Sequence, residues 1–312
     1  MSRSLQAPER ILKRLDWTVL RRLDGVLQGN YRSLFRGSGL DLAEIREYQP
    51  HDDVRHIDWN VTARQRTPYV RRYQEDREVT VWFLLDLSPS MDFGSGYVTK
   101  RAMLIDFVAL LGRVFSRQGN RVGAIIYSAG IDHVIQPGTG PRHLLQIIVR
   151  LNRQPMPDNT PPTDLSALLV NALSIMKRRN VVFVVSDFIS APGWIKPLGM
   201  LTSRHETTAV RLVDPLETNL PDIGLLTMQD AETGEQVLVD THDIGFRVRY
   251  ASACEAQEAE LVSALTRAGV DVLELSTEDD LFTSMMRFIQ MRIGRPALQT
   301  AQPSAATPET VA

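Results

Sequence analysis

One short apolar segment constrains this chain more than any other, because it predicts a central strand and leads directly into a cluster of oxygen-bearing side chains. Residues 79–85, VTVWFLL, are rich in β-branched and aromatic side chains and are too few for a helix, so they predict a strand buried on both faces. Asp86, Ser88 and Ser90 follow this segment, and Pro89 predicts a turn before a helical pattern that begins near Thr99. In open parallel sheets, ligands bind beyond the carboxyl ends of the strands, which is where this cluster would lie.

The cluster has two interpretations. A carboxylate and two hydroxyls at alternate positions are hard oxygen donors, which suit Mg²⁺ or Mn²⁺. Asp86 and Ser88 could instead cap the turn and the helix that follows, without any ion.

Two residues further along the chain favour the metal interpretation. Thr163 begins a predicted helix after a proline-rich loop, and Asp187 follows a second apolar strand at residues 181–185. Two strand ends and an intervening loop can meet above one crevice of a doubly wound sheet. The predicted metal site therefore has five oxygen donors and one open octahedral position. Its residues are Asp86, Ser88, Ser90, Thr163 and Asp187.

The segments after residue 79 alternate between strand and helix patterns, which predicts an α/β fold with a doubly wound, mostly parallel sheet. The other predicted strands span residues 122–127, 131–135, 181–185, 208–213 and 270–275, with a hairpin inside 220–240 that turns at 232–234. The predicted helices span residues 100–117, 141–151, 163–177, 193–204, 250–269 and 279–292.

The two ends of the chain differ from this main domain, which we place at residues 78–293. Residues 1–77 are predicted to be a charged N-terminal extension that packs on it, beginning with a basic amphipathic helix, and a membrane-surface helix is the minor alternative. Within residues 37–78, charges recur among apolar anchors such as Trp59, so the region is interpreted either as an ion-paired collar or as a partner-docking surface. The charges concerned are Arg46, Asp52, Asp53, Arg55, Asp58 and Arg64. Residues 294–312 have no core-forming pattern and predict a disordered tail.

Composition narrows the possible functions. A net charge of −2 gives no reason to expect nucleic acid as a partner, and a single cysteine, Cys254, forms no intrachain disulfide. We find no apolar stretch of signal-peptide or membrane-spanning length, so we expect a cytoplasmic protein. The chain contains neither G-x-S-x-G nor G-x-x-x-x-G-K-[ST], which argues against a serine hydrolase and against a P-loop ATPase.

Two sets of residues resemble known protein families. The order Asp86-x-Ser88-x-Ser90, then Thr163-Asp164-Leu165, then Asp187 resembles the metal-ion-dependent adhesion site of von Willebrand factor A-type domains, over about residues 78–293. The stretch RGSGLDLAEIREYQPHDDVRHIDWNVTARQRTPYVRRYQEDRE before it resembles the signature region of the bacterial "domain of unknown function 58" family, in which it precedes such a domain.

This resemblance implies a non-enzymatic, Mg²⁺-dependent (or Mn²⁺-dependent) protein–protein interaction module. It also implies a MoxR-type AAA+ ATPase as partner, a chaperone-like or assembly role, and a Glu or Asp of a partner that completes the metal site. Two alternatives remain at this stage. One is a phosphatase-like hydrolase with Asp86 as nucleophile, although the second Asp that haloacid-dehalogenase phosphatases need two residues on is Ser88 here. The other is a scaffold that binds no metal.

Overall fold

A six-stranded sheet organises the computed structural model, which describes residues 44–49, 57, 59–65, 67–72, 79–96, 98–155, 162–229 and 235–293. The strands are β1 (Glu44–Glu47), β2 (Tyr69–Arg72), β3 (Thr80–Asp86), β4 (Arg121–Tyr127), β5 (Ile131–Gly138), β6 (Val181–Ser186), β7 (Glu206–Val213), β8 (Leu225–Gln229), β9 (Gln236–Asp240) and β10 (Asp271–Ser276). The α-helices are α1 (Trp59–Gln65), α2 (Lys100–Arg117), α3 (Gly140–Arg153), α4 (Leu165–Ile175), α5 (Ile195–Arg204), α6 (Pro215–Thr218), α7 (Ile244–Ala268) and α8 (Leu281–Ile293).

The strand order across the main sheet is β10-β7-β6-β3-β4-β5. Every neighbouring pair is parallel except β4 and β5, which form an antiparallel hairpin. The chain leaves β3 towards β4 on one side and later returns to β6 on the other, so the order reverses at β3. The predicted doubly wound, mostly parallel, von Willebrand factor A-like class is confirmed by this order, and the reversal point is where such folds place a ligand crevice.

The core explains why β3 lies at the centre. Six of its seven residues are buried, with alternate side chains entering two separate apolar clusters on opposite faces of the sheet. On one face, Phe83 stacks on Phe183 of β6 with ring centroids 5.5 Å apart, and Phe107 of α2 packs edge-on against both rings. On the other face, Trp82 and Leu84 pack among residues of α4 and α5. A strand with both faces covered needs the uninterrupted apolar sequence that residues 79–85 provide.

The two outer strands of the sheet are more polar than the inner ones. β5 carries Asp132 and His133 and ends near Pro137, while β10 carries Asp271 and Glu274. Among the described residues, no helix is both long and apolar enough to cross a membrane.

The element boundaries differ from the predicted ones in a few places. Helix α7 begins at Ile244 rather than near residue 250, because Asp243 accepts a hydrogen bond from the Gly245 N–H and caps it there. The four-residue helix α6 was not predicted, and neither was the separate two-stranded sheet that β1 and β2 form.

Most of the predicted charged extension lies outside the described residues. Trp59, predicted as an apolar anchor, is 71% exposed, and Arg64 is exposed at the end of α1. The side chain of Arg46, residues Asp52, Asp53, Arg55 and Asp58, the N-terminal helix, the turn at 232–234 and the tail from residue 294 are outside the described part. The proposed division at residues 77 and 293 therefore stays a prediction.

Candidate metal site

Strands β3 and β6 end side by side, so the first predicted metal ligand, Asp86, lies at the carboxyl ends of the parallel strands. Leu85 pairs with Val185, so Asp86 lies beside Ser186 at the next position. The Ser186 hydroxyl donates to Asp86 Oδ2 at 2.7 Å, and the Ser88 N–H donates to Oδ1 at 2.9 Å. The buried Asp86 carboxylate is thus held by one donor from β6 and one from the turn that follows β3.

Ser88 and Ser90 lie in a tight turn directly beyond β3. A short 3₁₀ segment, Pro89–Asp92, follows Ser88 and turns the chain back over the sheet. Both serines are buried, and their hydroxyl oxygens are 3.2 Å apart. The structure therefore brings these two predicted donors together next to Asp86.

Thr163 lies on the loop that leads into α4, and this loop is bonded to the one that follows β6. The Thr163 carbonyl accepts hydrogen bonds from the Ser190 hydroxyl at 2.9 Å and the Ala191 N–H at 2.8 Å. Its side chain is buried. The next residue, Asp164, caps α4 by accepting a hydrogen bond from the Ser166 N–H at 2.9 Å.

Asp187 is positioned by an unusual backbone turn. The next residue, Phe188, has φ of 61°, the left-handed region that non-glycine residues rarely adopt. Three contacts hold this turn: Phe188 N–H donates to Ser186 Oγ at 2.9 Å, Ile189 N–H donates to Asp187 Oδ1 at 3.0 Å, and the Phe188 ring packs on Trp194 with centroids 5.5 Å apart. Strained backbone that persists in this way is typical of functional sites.

The two carboxylates act on each other electrostatically. Burial, and after it the negative charge of Asp187, raise the pKa of Asp86 to about 6, against the lowering effect of hydrogen bonds from Ser186 and Ser88. The site therefore holds two acidic groups in one poorly solvated space, which is unfavourable without a compensating positive charge.

Part of that positive charge comes from Lys100, the first residue of α2, which sequence reasoning missed. Its ammonium is fully buried and donates to Asp187 Oδ2 at 2.8 Å and to Glu217 Oε1 of α6 at 2.5 Å. Burial alone would lower the pKa of Lys100, but the Asp187 and Glu217 carboxylates raise it above its ordinary value. The helix start after Thr99 was recognisable in the sequence, whereas nothing local indicated that its lysine points inward.

The donor set fits a divalent cation in type and in charge. Three carboxylates, Asp86, Asp187 and Glu217, and one ammonium, Lys100, give the region a formal charge of −2. Within the described ranges, no group of three or more His, Cys, Asp or Glu side chains is arranged to hold a metal. The predicted set is of another kind, with two carboxylates and three hydroxyls. Asp92 lies outside it and pairs with Arg101 at 3.2 Å.

The chain is similar to known proteins over most of its length. A family model described as "Protein of unknown function DUF58" matches residues 44–260. An uncharacterized protein of Mycobacterium tuberculosis is 34% identical over 281 residues, which are 90% of this chain and 88% of the relative. An uncharacterized protein of Mycobacterium avium is 35% identical over 116 residues, which are 37% of this chain and 68% of that one.

Two solved structures show slight likeness. BatB from Bacteroides thetaiotaomicron has 12% identity and a TM-score of 0.43, covering 69% of this chain and 98% of its own. Manganese-loaded TRAP protein from Plasmodium vivax has 16% identity and a TM-score of 0.34, covering 43% of this chain and 57% of its own.

Proposed function

This chain belongs to the DUF58 family of proteins of unknown function. We propose that it is a non-enzymatic protein–protein interaction module that works through a bound Mg²⁺ or Mn²⁺. The observation that carries the proposal is the pair of buried carboxylates, Asp86 and Asp187, at the ends of neighbouring parallel strands beside two serine hydroxyls. Carboxylate and hydroxyl oxygens from separate loops suit these hard cations.

In this proposal the site residues have distinct roles. Ser88, Ser90 and Thr163 would bind the ion through their hydroxyl oxygens, and Asp86 and Asp187 would bind it directly or through water. When bound, the ion would supply a positive centre that accepts a carboxylate from a partner. Because hydroxyls do not neutralise the ion, an outside Glu or Asp remains an attractive last ligand.

One part of the surface is suited to contact with a protein. Large exposed apolar side chains concentrate on the β8–β9 hairpin and the start of α7, which we call the apolar patch. Its residues are Ile223, Leu225, Val237, Leu238, Ile244 and Val248. Exposed apolar groups in one region are typical of interaction surfaces.

Helix α7 also connects the apolar patch to the candidate site. Its Tyr250 hydroxyl donates to the Glu217 carbonyl at 3.0 Å, and Glu217 in turn binds Lys100. The partner we propose, from the family resemblance, is a MoxR-type AAA+ ATPase, which would supply the energy that this chain has no P-loop to obtain.

Removing both carboxylates is expected to abolish metal binding. In calorimetric titrations with Mg²⁺ and Mn²⁺, the wild-type protein should show saturable one-site binding, and Asp86→Ala/Asp187→Ala should bind at least about 100-fold more weakly, since altering even groups that only orient ligands costs 10–100-fold. Glu255→Ala/Glu260→Ala removes two exposed carboxylates and serves as the control. A double variant with wild-type affinity would show that these residues are turns and caps.

Polar substitution in the apolar patch is expected to weaken partner binding without unfolding the protein. Leu225 and Leu238 are 71% and 66% exposed, so Leu225→Ser/Leu238→Ser should change the free energy of unfolding by less than about 0.5 kcal/mol per site. The affinity of this double variant for a MoxR-type ATPase from the same genome should fall about tenfold or more. Val170→Ser/Val262→Ser, which alters exposed apolar residues elsewhere, is the matched control. Equal affinity of both double variants would exclude the hairpin from the interface.

One observation favours the alternative of a metal-free scaffold. Lys100 already places a positive charge on Asp187, so the site has an internal cation before any ion binds. The phosphatase alternative gains no similar support, because Ser88 occupies the position where the general acid is needed.

A further inference from the structure

A second charged site lies at the amino ends of the parallel strands, where β6 and β7 begin. Residues at and just after the ends of α4 and α5 line an open cavity of about 360 Å³ there, which we call the basic hollow. Its polar lining consists of Lys177, Arg178, Arg179, Arg204 and His205. Leu173 and Met176 complete the lining. The net charge of −2 for the whole chain conceals this local concentration of positive charge.

His205 is the unusual member of the basic hollow. It is only 3% exposed, and neither of its ring nitrogens makes a hydrogen bond of normal geometry among the described residues, although the Arg178 carbonyl lies close to the ring. Buried polar groups are nearly always paired, so an imidazole that lines a cavity with at least one unpaired nitrogen indicates a missing partner. Burial lowers the pKa of His205, and the nearby Arg204 and Arg179 lower it further, while the Arg178 carbonyl acts in the opposite direction.

The cations of the basic hollow are poorly compensated. Arg179 pairs with Glu206 at 3.6 Å, but Glu206 is shared with Arg292 of α8. Within the described part of the chain, Lys177, Arg178 and Arg204 form no ion pair, and no acidic residue lines the cavity. Like charges gathered around a concavity attract an anion, and the effect is strongest where the walls exclude water.

We propose that the basic hollow is a binding site for a phosphate group. Arg178 and Arg204 would bind its charge, and His205 would be a buried hydrogen-bond donor. Guanidinium groups bind phosphate through two parallel hydrogen bonds, and the imidazole offers one N–H to a phosphate oxygen. The cavity volume lies within the range of small-molecule sites. A soluble phosphate compound and an anionic lipid headgroup present the same chemistry to these residues.

Binding of inorganic pyrophosphate to the full-length chain tests the proposal. Calorimetry at constant ionic strength should show saturable binding of pyrophosphate to the wild-type protein. Arg178→Ala/Arg204→Ala should weaken this binding about tenfold or more, because it removes charge-assisted hydrogen bonds to the ligand. Arg142→Ala/Arg267→Ala removes the same charge from exposed positions away from the cavity and should change the affinity less than about twofold. Absence of saturation, or equal weakening by both double variants, would overturn the proposal.

Two further measurements use the unaltered protein and so do not depend on a variant folding. The ring-nitrogen chemical shifts of His205 should move when pyrophosphate is added. Those of the exposed His242 should move no more than they do when chloride is added to the same ionic strength. Unmoved His205 shifts at saturation would contradict the assigned role. Vesicles of phosphatidylglycerol that compete with pyrophosphate would identify a lipid headgroup as the source, and pyrophosphate binding with no vesicle binding would identify a soluble one.

Discussion

Lys100→Met is expected to lower the free energy of unfolding by about 3–5 kcal/mol, because breaking a buried ion pair leaves an uncompensated charge in the protein interior. Asp187 is buried beside the ammonium at 2.8 Å, and Glu217 loses its partner at the same time. The raised pKa of Lys100 keeps its ammonium charged through the neutral range, so the wild-type pair is intact there. Urea denaturation at pH 7 without divalent ions measures the loss.

The same variant separates the two functional proposals. If the site binds Mg²⁺, the ion should stabilise Lys100→Met more than the wild type, because Asp187 is free to coordinate and a competing positive charge is gone. If the protein is a metal-free scaffold, Mg²⁺ should leave both denaturation curves unchanged. Lys177→Met removes an exposed lysine and should stay within about 0.5 kcal/mol of the wild type. Wild-type stability of Lys100→Met would show that the pair contributes little.

Phe183→Ala is expected to cost about 3–5 kcal/mol of unfolding free energy, the range for truncating a fully enclosed aromatic side chain. The ring of this β6 residue packs against β3 and α2, within 5.5 to 6.1 Å of the ring centroids of Phe83, Phe107 and Phe115. These neighbours are themselves buried in the same core cluster, so the vacated volume should stay largely open. Urea denaturation midpoints and slopes measure the change.

Phe93→Ala is the control for that substitution. Phe93 is 41% exposed in the turn before α2, so its truncation should cost less than about 1 kcal/mol. A similar loss for both variants would mean that the cluster around Phe183 is less tightly packed than its ring geometry indicates.

The parts of the site that sequence reasoning found are those with a local signal. Asp86, Ser88 and Ser90 follow one strand at alternate positions, and Asp187 follows another, so strand recognition was sufficient to place them at one edge. Lys100 and Glu217 are 117 residues apart, and their contact depends on how α2 and α6 meet above the sheet. No periodicity or turn pattern encodes such a meeting, and α6 is too short to leave a helical pattern of its own.

The fold was predictable for a similar reason. Strands β3 and β6 are continuous apolar runs, and α2 spans the predicted residues 100–117. The misplaced start of α7 has a physical cause, since residues 244–249 are largely exposed and mix apolar with charged side chains, so they do not form the core-facing stripe of the later turns. The sequence does not indicate the basic hollow, because its arginines and His205 come from two helix ends 25 or more residues apart. Each group alone resembles an ordinary surface charge.

The polar outer strands of the sheet bear on how the protein behaves at high concentration. An open sheet presents unpaired backbone groups at both edges, and a flat apolar edge can recruit strands from other molecules and nucleate fibrils. Asp132, His133 and Pro137 on β5, and Asp271 and Glu274 on β10, oppose that pairing through charge and through the N–H that proline lacks. The sheet is therefore expected to end at six strands even in crowded solution, which directs self-association away from its edges.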